Sequence, residues 1–367
     1  MRLAIECRSL KAADIISGPN LMQSPLWARY KSLVAGWKPL FFQYYCDSGS
    51  GTLLALEKRF EGGFAYVYMP WAPDHPVPEE AQGPFLEALS TAVLPFLPPS
   101  TVFIRYDLVW KSPFEVEENA DRYDFDGRPP PRVREMRMNF STSQWNLKKA
   151  PTDILPPDTV ILRLDDSLQA LFSGMKPKTR YNVRLSQKKN VEVSDVSLSD
   201  LDVWYRMYEE TALRQGLTLH PLSDFEMLFK IGGKEHPAKD ADVRLLMAYL
   251  RNEPLAGIII CLHPNHAVYL YGASSGLHRN VMAGFGLQWK AVELAKKHGC
   301  RYYDLFGISP FYNPAHPMNP LYRFKTGFGG RLVHRRGCWD FPVNHEAYEQ
   351  MVVQEAAALS SGKGYYT

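Results

Sequence analysis

RLLMAYL at residues 244–250, LAGIIICL at 255–262 and AVYLYG at 267–272 are three apolar runs separated by RNEP and HPNH. Their β-branched and aromatic side chains favour strands, and the Asn and Pro between them favour tight reversals, so the stretch predicts an antiparallel meander. A pattern of helical spacing follows over residues 285–298 and stops at Gly299. An aromatic strand is then predicted over 302–307. Three strands, a helix and a further strand make this part of the chain α+β.

Upstream, TVILRL at 159–164 alternates and β-branches like a strand. Residues 167–189 read as helical pieces broken by Pro177, and 200–216 as a helix with a glycine stop. Residues 111–158 are rich in proline and charge, with Pro129, Pro130 and Pro131 and then Pro151, Pro156 and Pro157. That composition predicts a long surface connection between compact units, and the chain's 367 residues accommodate two of them. Before the connection, 64–69 and 101–107 predict strands, with a helix over 84–97 between them.

Hydrophobic residues make up 46%, charged residues 22% and aromatics 13%, which excludes a disordered, collagen-like or disulfide-stapled chain. The cysteines at 7, 46, 261, 300 and 338 are scattered, with no CxxC pair, and read as reduced thiols. No apolar run approaches the roughly 20 residues of a membrane span, and Glu6 and Asp14 interrupt the opening stretch where a signal peptide is apolar. A cytoplasmic location is therefore expected. His263 and His266 have ligand-like spacing but flank a Pro-Asn turn with no third ligand nearby, so neither a metal nor any other cofactor is expected.

Net charge is only +3, but it is unevenly spread. Residues 176–189 (KPKTRYNVRLSQKK) carry six bases and no acid, and 323–336 (RFKTGFGGRLVHRR) carry five bases and no acid, which leaves −8 on the rest of the chain. Such segments suit phosphate or nucleic acid, or else form solvated faces.

Further segments stand out: Gln23-Ser24 with Trp27, Lys31 and Gly36-Trp37; Arg105-Tyr106-Asp107; LPPDTV at 155–160; MKPKTRYNVRL at 175–185; LYGASS at 270–275; Gln288-Trp289; YDLFGI at 303–308; and PLYRFKTGFGG at 320–330. In this order and spacing they resemble the FemABX family of tRNA-dependent peptidyltransferases, which build peptidoglycan cross-bridges. The resemblance implies an α+β chain of two GNAT-like domains with mixed, largely antiparallel sheets flanked by helices. Residues 1–155 form the first, completed by the returning segment 328–367, and residues 156–327 form the second. It also implies a reaction: an amine of the peptidoglycan stem peptide attacks the ester carbonyl of an aminoacyl-tRNA. The acceptor is either a UDP-MurNAc-peptide or a lipid-linked precursor, the latter with a peripheral membrane contact. Some relatives carry a coiled-coil arm; the roughly 30 residues between the 200–216 helix and the meander leave no room for two long heptad helices, so no arm is expected.

Aminolysis of an ester needs an aligned neutral amine and a stabilised oxyanion. The Phe-Lys pair of the family's acyl-transfer site stands here as Phe324-Lys325, with Lys325 as the oxyanion-stabilising cation among Phe328, Gly327, Gly329 and Gly330. Lys31 and Arg180 resemble the family's contacts to the precursor diphosphate, Tyr271 a residue lining the same groove, and Asp107 a carboxylate that orders the incoming amine or accepts its proton. Each also has an ordinary reading: surface charge for Lys31, Arg180 and Lys325, core tyrosine for Tyr271, and turn carboxylate for Asp107. Two rivals stay open. One is an acyl-CoA-dependent N-acyltransferase, whose pyrophosphate loop is incompletely matched by VMAGFG at 281–286; the other is a non-catalytic RNA- or precursor-binding protein.

Overall fold

A computed structural model describes residues 4–12, 18, 20–60, 63–114, 128–216, 218–234, 238 and 241–360. The chain forms two compact units, one of residues 1–157 with 334–367 and the other of residues 158–333.

The first unit begins with β1 (Glu6–Leu10), α1 (Pro25–Ala35), the hairpin β2 (Lys38–Cys46) and β3 (Gly49–Arg59), and β4 (Ala65–Met69). It continues through α2 (Gln82–Val93), β5 (Thr101–Lys111), α3 (Pro131–Asn139) and β6 (Lys148–Lys149). Local chemistry sets α1: the Ser24 side chain accepts the Trp27 N–H, Pro25 stands in the first turn, and Gly36 closes the helix at φ +67°. Strands β1 to β4 pair antiparallel, whereas β4 and β5 run parallel because α2 carries the chain back across the sheet. Phe42, Leu53, Val67, Phe85, Leu89, Ile104 and Tyr106 meet beneath α2 as the core.

The second unit comprises β7 (Asp158–Arg163), α4 (Leu168–Gly174), α5 (Pro177–Lys188), β8 (Glu192–Val196), α6 (Leu201–Gln215) and α7 (Leu222–Gly232). The expected meander follows as β9 (Asp242–Leu250), β10 (Glu253–His263) and β11 (His266–Ser274), then α8 (Ala283–Lys297), β12 (Tyr302–Gly307) and α9 (Asn319–Thr326). Both meander turns use left-handed backbone, at Arg251 and Asn252 and then at Asn265. Within this unit the strand order is β8-β9-β10-β11-β12-β7, antiparallel except for the β11/β12 pair that α8 bridges. Between β8 and β9 the helices α6 and α7 have 15 and 11 residues.

Finally β13 (Arg331–Pro342) carries the chain back to the first unit, where it pairs antiparallel with β5 and with β6, and α10 (His345–Ser360) follows. The returning segment starts later than residue 328, because Phe328 is buried in the second unit's core with Val160, Leu162 and Leu287. The predicted surface connection is also corrected. Pro131 starts α3 instead of breaking the chain, and Met138 and Leu147 lie in the first unit's core. Residues 115–127 of that stretch lie outside the described residues.

A fully buried ion pair fastens the return. Arg105 on β5 donates through Nε and Nη2 to both oxygens of Asp340 on β13, each at 2.7 Å, and through Nη1 and Nη2 to both oxygens of Glu355 on α10, each at 3.0 Å. Tyr348 also donates to Asp340 at 3.1 Å. Truncating Glu355 leaves Asp340 to balance the guanidinium but strands two of its buried N–H donors without an acceptor, so Glu355→Ala is expected to lower unfolding free energy by about 1–3 kcal/mol. Urea denaturation checks this, and unchanged stability would show that α10 is held by other contacts.

Candidate active site

Strands β11 and β12 pair only from His266–Val268 to Tyr302–Asp304. Beyond Val268 they are unpaired among the described residues, and the β12/β7 register also breaks between Asp304 and Gly307, where Phe306 adopts φ +63°. The break is held by Asp304, which is fully buried and accepts the Thr159 hydroxyl and, at 2.7 Å, the Phe306 N–H. This is the loop-ordering role of a strand-end carboxylate.

Lys325, in the last turn of α9, reaches this notch. Its Nζ donates to the Gly307 carbonyl at 2.8 Å and lies 5.2 Å from the Tyr269 ring centroid. Only 4% of the residue is exposed. Burial pushes its pKa down from 10.5 to about 7, against the opposing pull of Asp304. The ammonium thus stands in a low-dielectric site, where it acts strongly on a developing negative charge.

Phe324 packs edge-on against Phe285 at 4.9 Å and Phe328 at 5.4 Å. Its ring tip is 4.0 Å from where a side chain on Gly284 would begin, so it lies over the start of α8. Gly286 faces α5 instead, where an added Cβ would meet Ser186 Oγ at 2.5 Å. The glycines of 281–286 therefore serve ring and helix packing, which weakens the acyl-CoA reading.

The segments 175–185 and 320–330 meet. A Cβ on Gly327 would strike Thr179 Oγ1, and one on Gly329 would come within 2.6 Å of the Gly174 carbonyl. Only glycine permits this approach, and the Lys176 N–H donates to the Gly327 carbonyl at 2.9 Å. Arg180 belongs to the same junction, where its Nη1 donates to the carbonyls of Met175 and, at 2.7 Å, Ser173. The structure thus brings Phe324, Lys325 and the Arg180 turn together.

Tyr271 faces elsewhere. It packs on Phe225 at 5.0 Å and His220 at 5.9 Å, with α6 and α7. Between Tyr269 and Tyr271 the register shifts by one residue: Ile260 pairs with Tyr269 and Ile259 with Tyr271. The two tyrosines consequently occupy opposite sheet faces, and Tyr269 is the one beside Lys325. Simple alternation along β11 would have put them on the same face, so nothing in the sequence pattern pointed to Tyr269.

In the first unit, Lys31 on α1 lies over Trp27, Tyr30 and Trp37, with Nζ 5.2–5.8 Å from the ring centroids. Asp107, read from the sequence as a carboxylate for the incoming amine or as a structural one, lies inside the first unit's sheet. It is 1% exposed on β5, and its Oδ2 accepts from Tyr68 at 2.9 Å and from the Leu155 N–H at 3.0 Å. Burial and then the neighbouring Asp153 raise its pKa to about 6, partly offset by those hydrogen bonds and by Cys338. In this position it ties β5 to β4 and to the 155 segment.

The second basic segment is less solvated than its count suggests. Arg323 and Arg331 are exposed, but Lys325 is in the notch and Arg335 is buried with its guanidinium 4.4 Å from the Trp71 ring centroid. Arg336 pairs with Glu79 at 3.6 Å. In the first segment Lys176, Lys178, Arg184, Lys188 and Lys189 are all exposed.

A mixed sheet whose parallel strands splay apart under a bridging helix, with helices on its faces, is the GNAT-like class of α+β fold. The chain is similar to a solved structure of FemX, with a TM-score of 0.72 and 17% identity, over 95% of this chain and all of that one. The model of the FemAB family matches residues 137–250 and 242–355, more than half of the sequence, and the chain belongs to that family. Among curated relatives, the lipid II:glycine glycyltransferase of Staphylococcus haemolyticus is 21% identical over 274 residues, 57% of this chain and 64% of its own length. The aminoacyltransferase FemA of Staphylococcus epidermidis is 25% identical over 95 residues, 26% of this chain and 23% of its own. The chain thus spans under two thirds of the curated relatives' length.

The burial of Lys325 has a measurable consequence. An unfolded lysine keeps its proton up to about 10.5 and the folded one only to about 7, so folding releases a proton between these values and stability rises with pH there. Wild type is expected to gain stability relative to Lys325→Met on going from about pH 7 to about pH 9, by up to about 1.4 kcal/mol per pH unit. Urea titrations at both values test this; parallel pH dependence in the two proteins would mean that Lys325 is not desolvated.

Proposed function

We propose that this protein is an aminoacyltransferase that moves an amino acid from aminoacyl-tRNA to an amine of the peptidoglycan stem peptide on a lipid-linked precursor, forming an interpeptide bridge. The observation that carries the reading is the buried Lys325 at the open end of the β11/β12 pair in a FemAB-family chain. That related proteins are lipid II:glycine glycyltransferases supports a lipid-linked acceptor.

In the proposed reaction the acceptor nitrogen forms a bond to the ester carbonyl carbon, and negative charge develops on the carbonyl oxygen. The tRNA ribose oxygen then leaves with the electron pair of the broken C–O bond, and the proton lost by the amine is passed to it. Lys325, as ammonium, stabilises the oxyanion, and its low-dielectric surroundings enlarge that effect. Phe324, Phe285 and Phe328 form an apolar wall that limits water, the competing nucleophile. In the second unit Arg180 is assigned to the precursor diphosphate, while Tyr271 packs with Phe225 on the sheet face opposite Lys325; in the first unit Lys31 is a separate candidate for a phosphate contact and Asp107 supports the sheet. The exposed bases of α5 offer contacts to a polyanionic donor, which implies steep salt dependence.

Transfer of a labelled amino acid onto lipid-linked precursor is expected to require charged tRNA, to vanish when the tRNA is digested first, and to weaken markedly between low and physiological salt. Acylation of an amine from acyl-CoA with no RNA present would overturn this reading in favour of the acyl-CoA-dependent rival.

A further inference from the structure

Among the described residues of the first unit, α3 and the loop that follows it carry a cluster of exposed apolar side chains. Val133, Met136, Phe140 and Trp145 are 38%, 54%, 69% and 52% exposed. The first three recur at helical spacing and so share one side of α3 and its end. Four large apolar side chains within 13 residues are more than the scattered exposed residues common on soluble surfaces.

Their exposure is built in. Asn139 closes the loop at its neck, donating through Nδ2 to the Leu147 carbonyl at 2.7 Å and accepting the Leu147 N–H at 2.9 Å. Thr142 donates to the Asn139 carbonyl at 2.7 Å. The Glu87 carboxylate on α2 accepts the N–H groups of Ser143 and Gln144, at 2.7 and 2.6 Å. Trp145 itself sits at φ +53°, a backbone region that suits glycine and is costly for a bulky side chain. A fixed loop thus presents the indole outward from an unfavourable conformation.

Two arginines, Arg132 and Arg137, are exposed on α3 beside the apolar residues, whereas the nearby carboxylates are engaged: Glu135 by Lys148, Asp153 by Lys149 and Glu87 by the loop's own N–H groups. Aromatic and aliphatic side chains flanked by arginines match the interface of an anionic bilayer, where the rings enter the headgroup boundary and the guanidinium groups meet lipid phosphates. Base stacking on single-stranded RNA would use Phe140 and Trp145 but would leave Val133 and Met136 without a role.

We propose that α3 and the 139–147 loop form a docking surface for an anionic phospholipid membrane. The inference deepens the proposed reading of a lipid-linked acceptor, but it concerns binding alone and vesicle binding is measured without precursor or transfer, so either can fail separately.

The test is co-sedimentation of the full chain with vesicles of phosphatidylglycerol and phosphatidylcholine, and with vesicles of phosphatidylcholine alone. Wild type is expected to bind the anionic vesicles, and Phe140→Ser/Trp145→Ser to bind them about tenfold or more weakly. Arg132→Glu/Arg137→Glu is expected to lose the preference for anionic lipid. All these positions are exposed, and matching thermal transitions confirm folding of the variants. Brominated lipids are expected to quench the fluorescence of wild type more than that of Trp145→Phe. Failure of wild type to bind anionic vesicles, or equal binding by the aromatic double variant, would overturn the proposal. Loss of tRNA binding by that variant with vesicle binding intact would also overturn it and assign the surface to RNA.

Discussion

A guanidinium removed from water between two carboxylates holds the first unit together. Arg105 is fully buried on β5, and its donors to Asp340 and Glu355 fix β13 and α10 against a strand that precedes them by more than 230 residues. The desolvation cost of such an arrangement is offset only when all its members are present and well aligned, so the geometry of the unit depends on all three. The same strand carries Tyr106, packed in the core, and Asp107, bonded to β4 and the 155 segment. The Arg-Tyr-Asp run is therefore one structural joint.

In the second unit the comparable expense lies at Lys325. An ammonium with one carbonyl partner and an aromatic ring is a poor choice for stability, and its lowered pKa records that cost. A cost of this kind is expected where the group is held ready for charge that appears only during reaction. The glycines around it have a mechanical reason: Gly327 and Gly329 let the end of α9 press against the α4–α5 turn, which sets the position of Lys325 relative to Arg180.

Much of the second unit was legible because its strands are continuous apolar runs with turn residues between them, and α8 and β12 end at glycines. The resemblance singled out Phe324, Lys325 and Arg180, which the fold places in one neighbourhood, but burial was not legible: the sequence cannot show that Asp107 lies in a core or that Arg335 stacks on Trp71. The shift at Leu270 was equally hidden, since one extra residue in β11 exchanges the faces of Tyr269 and Tyr271 without altering composition. The prolines at 129–131 misled for a definite reason: in a helix's first turn proline is favourable, and only the packing of Met138 and Leu147 distinguishes that case from a loop.

The central claim is that the buried ammonium acts on the transition state. Single-turnover transfer from aminoacyl-tRNA by wild type and Lys325→Met, with precursor affinity measured alongside, tests it most directly. The account expects the transfer rate of the variant to fall on the order of 10²-fold or more with precursor affinity nearly unchanged. A wild-type transfer rate in Lys325→Met would contradict it.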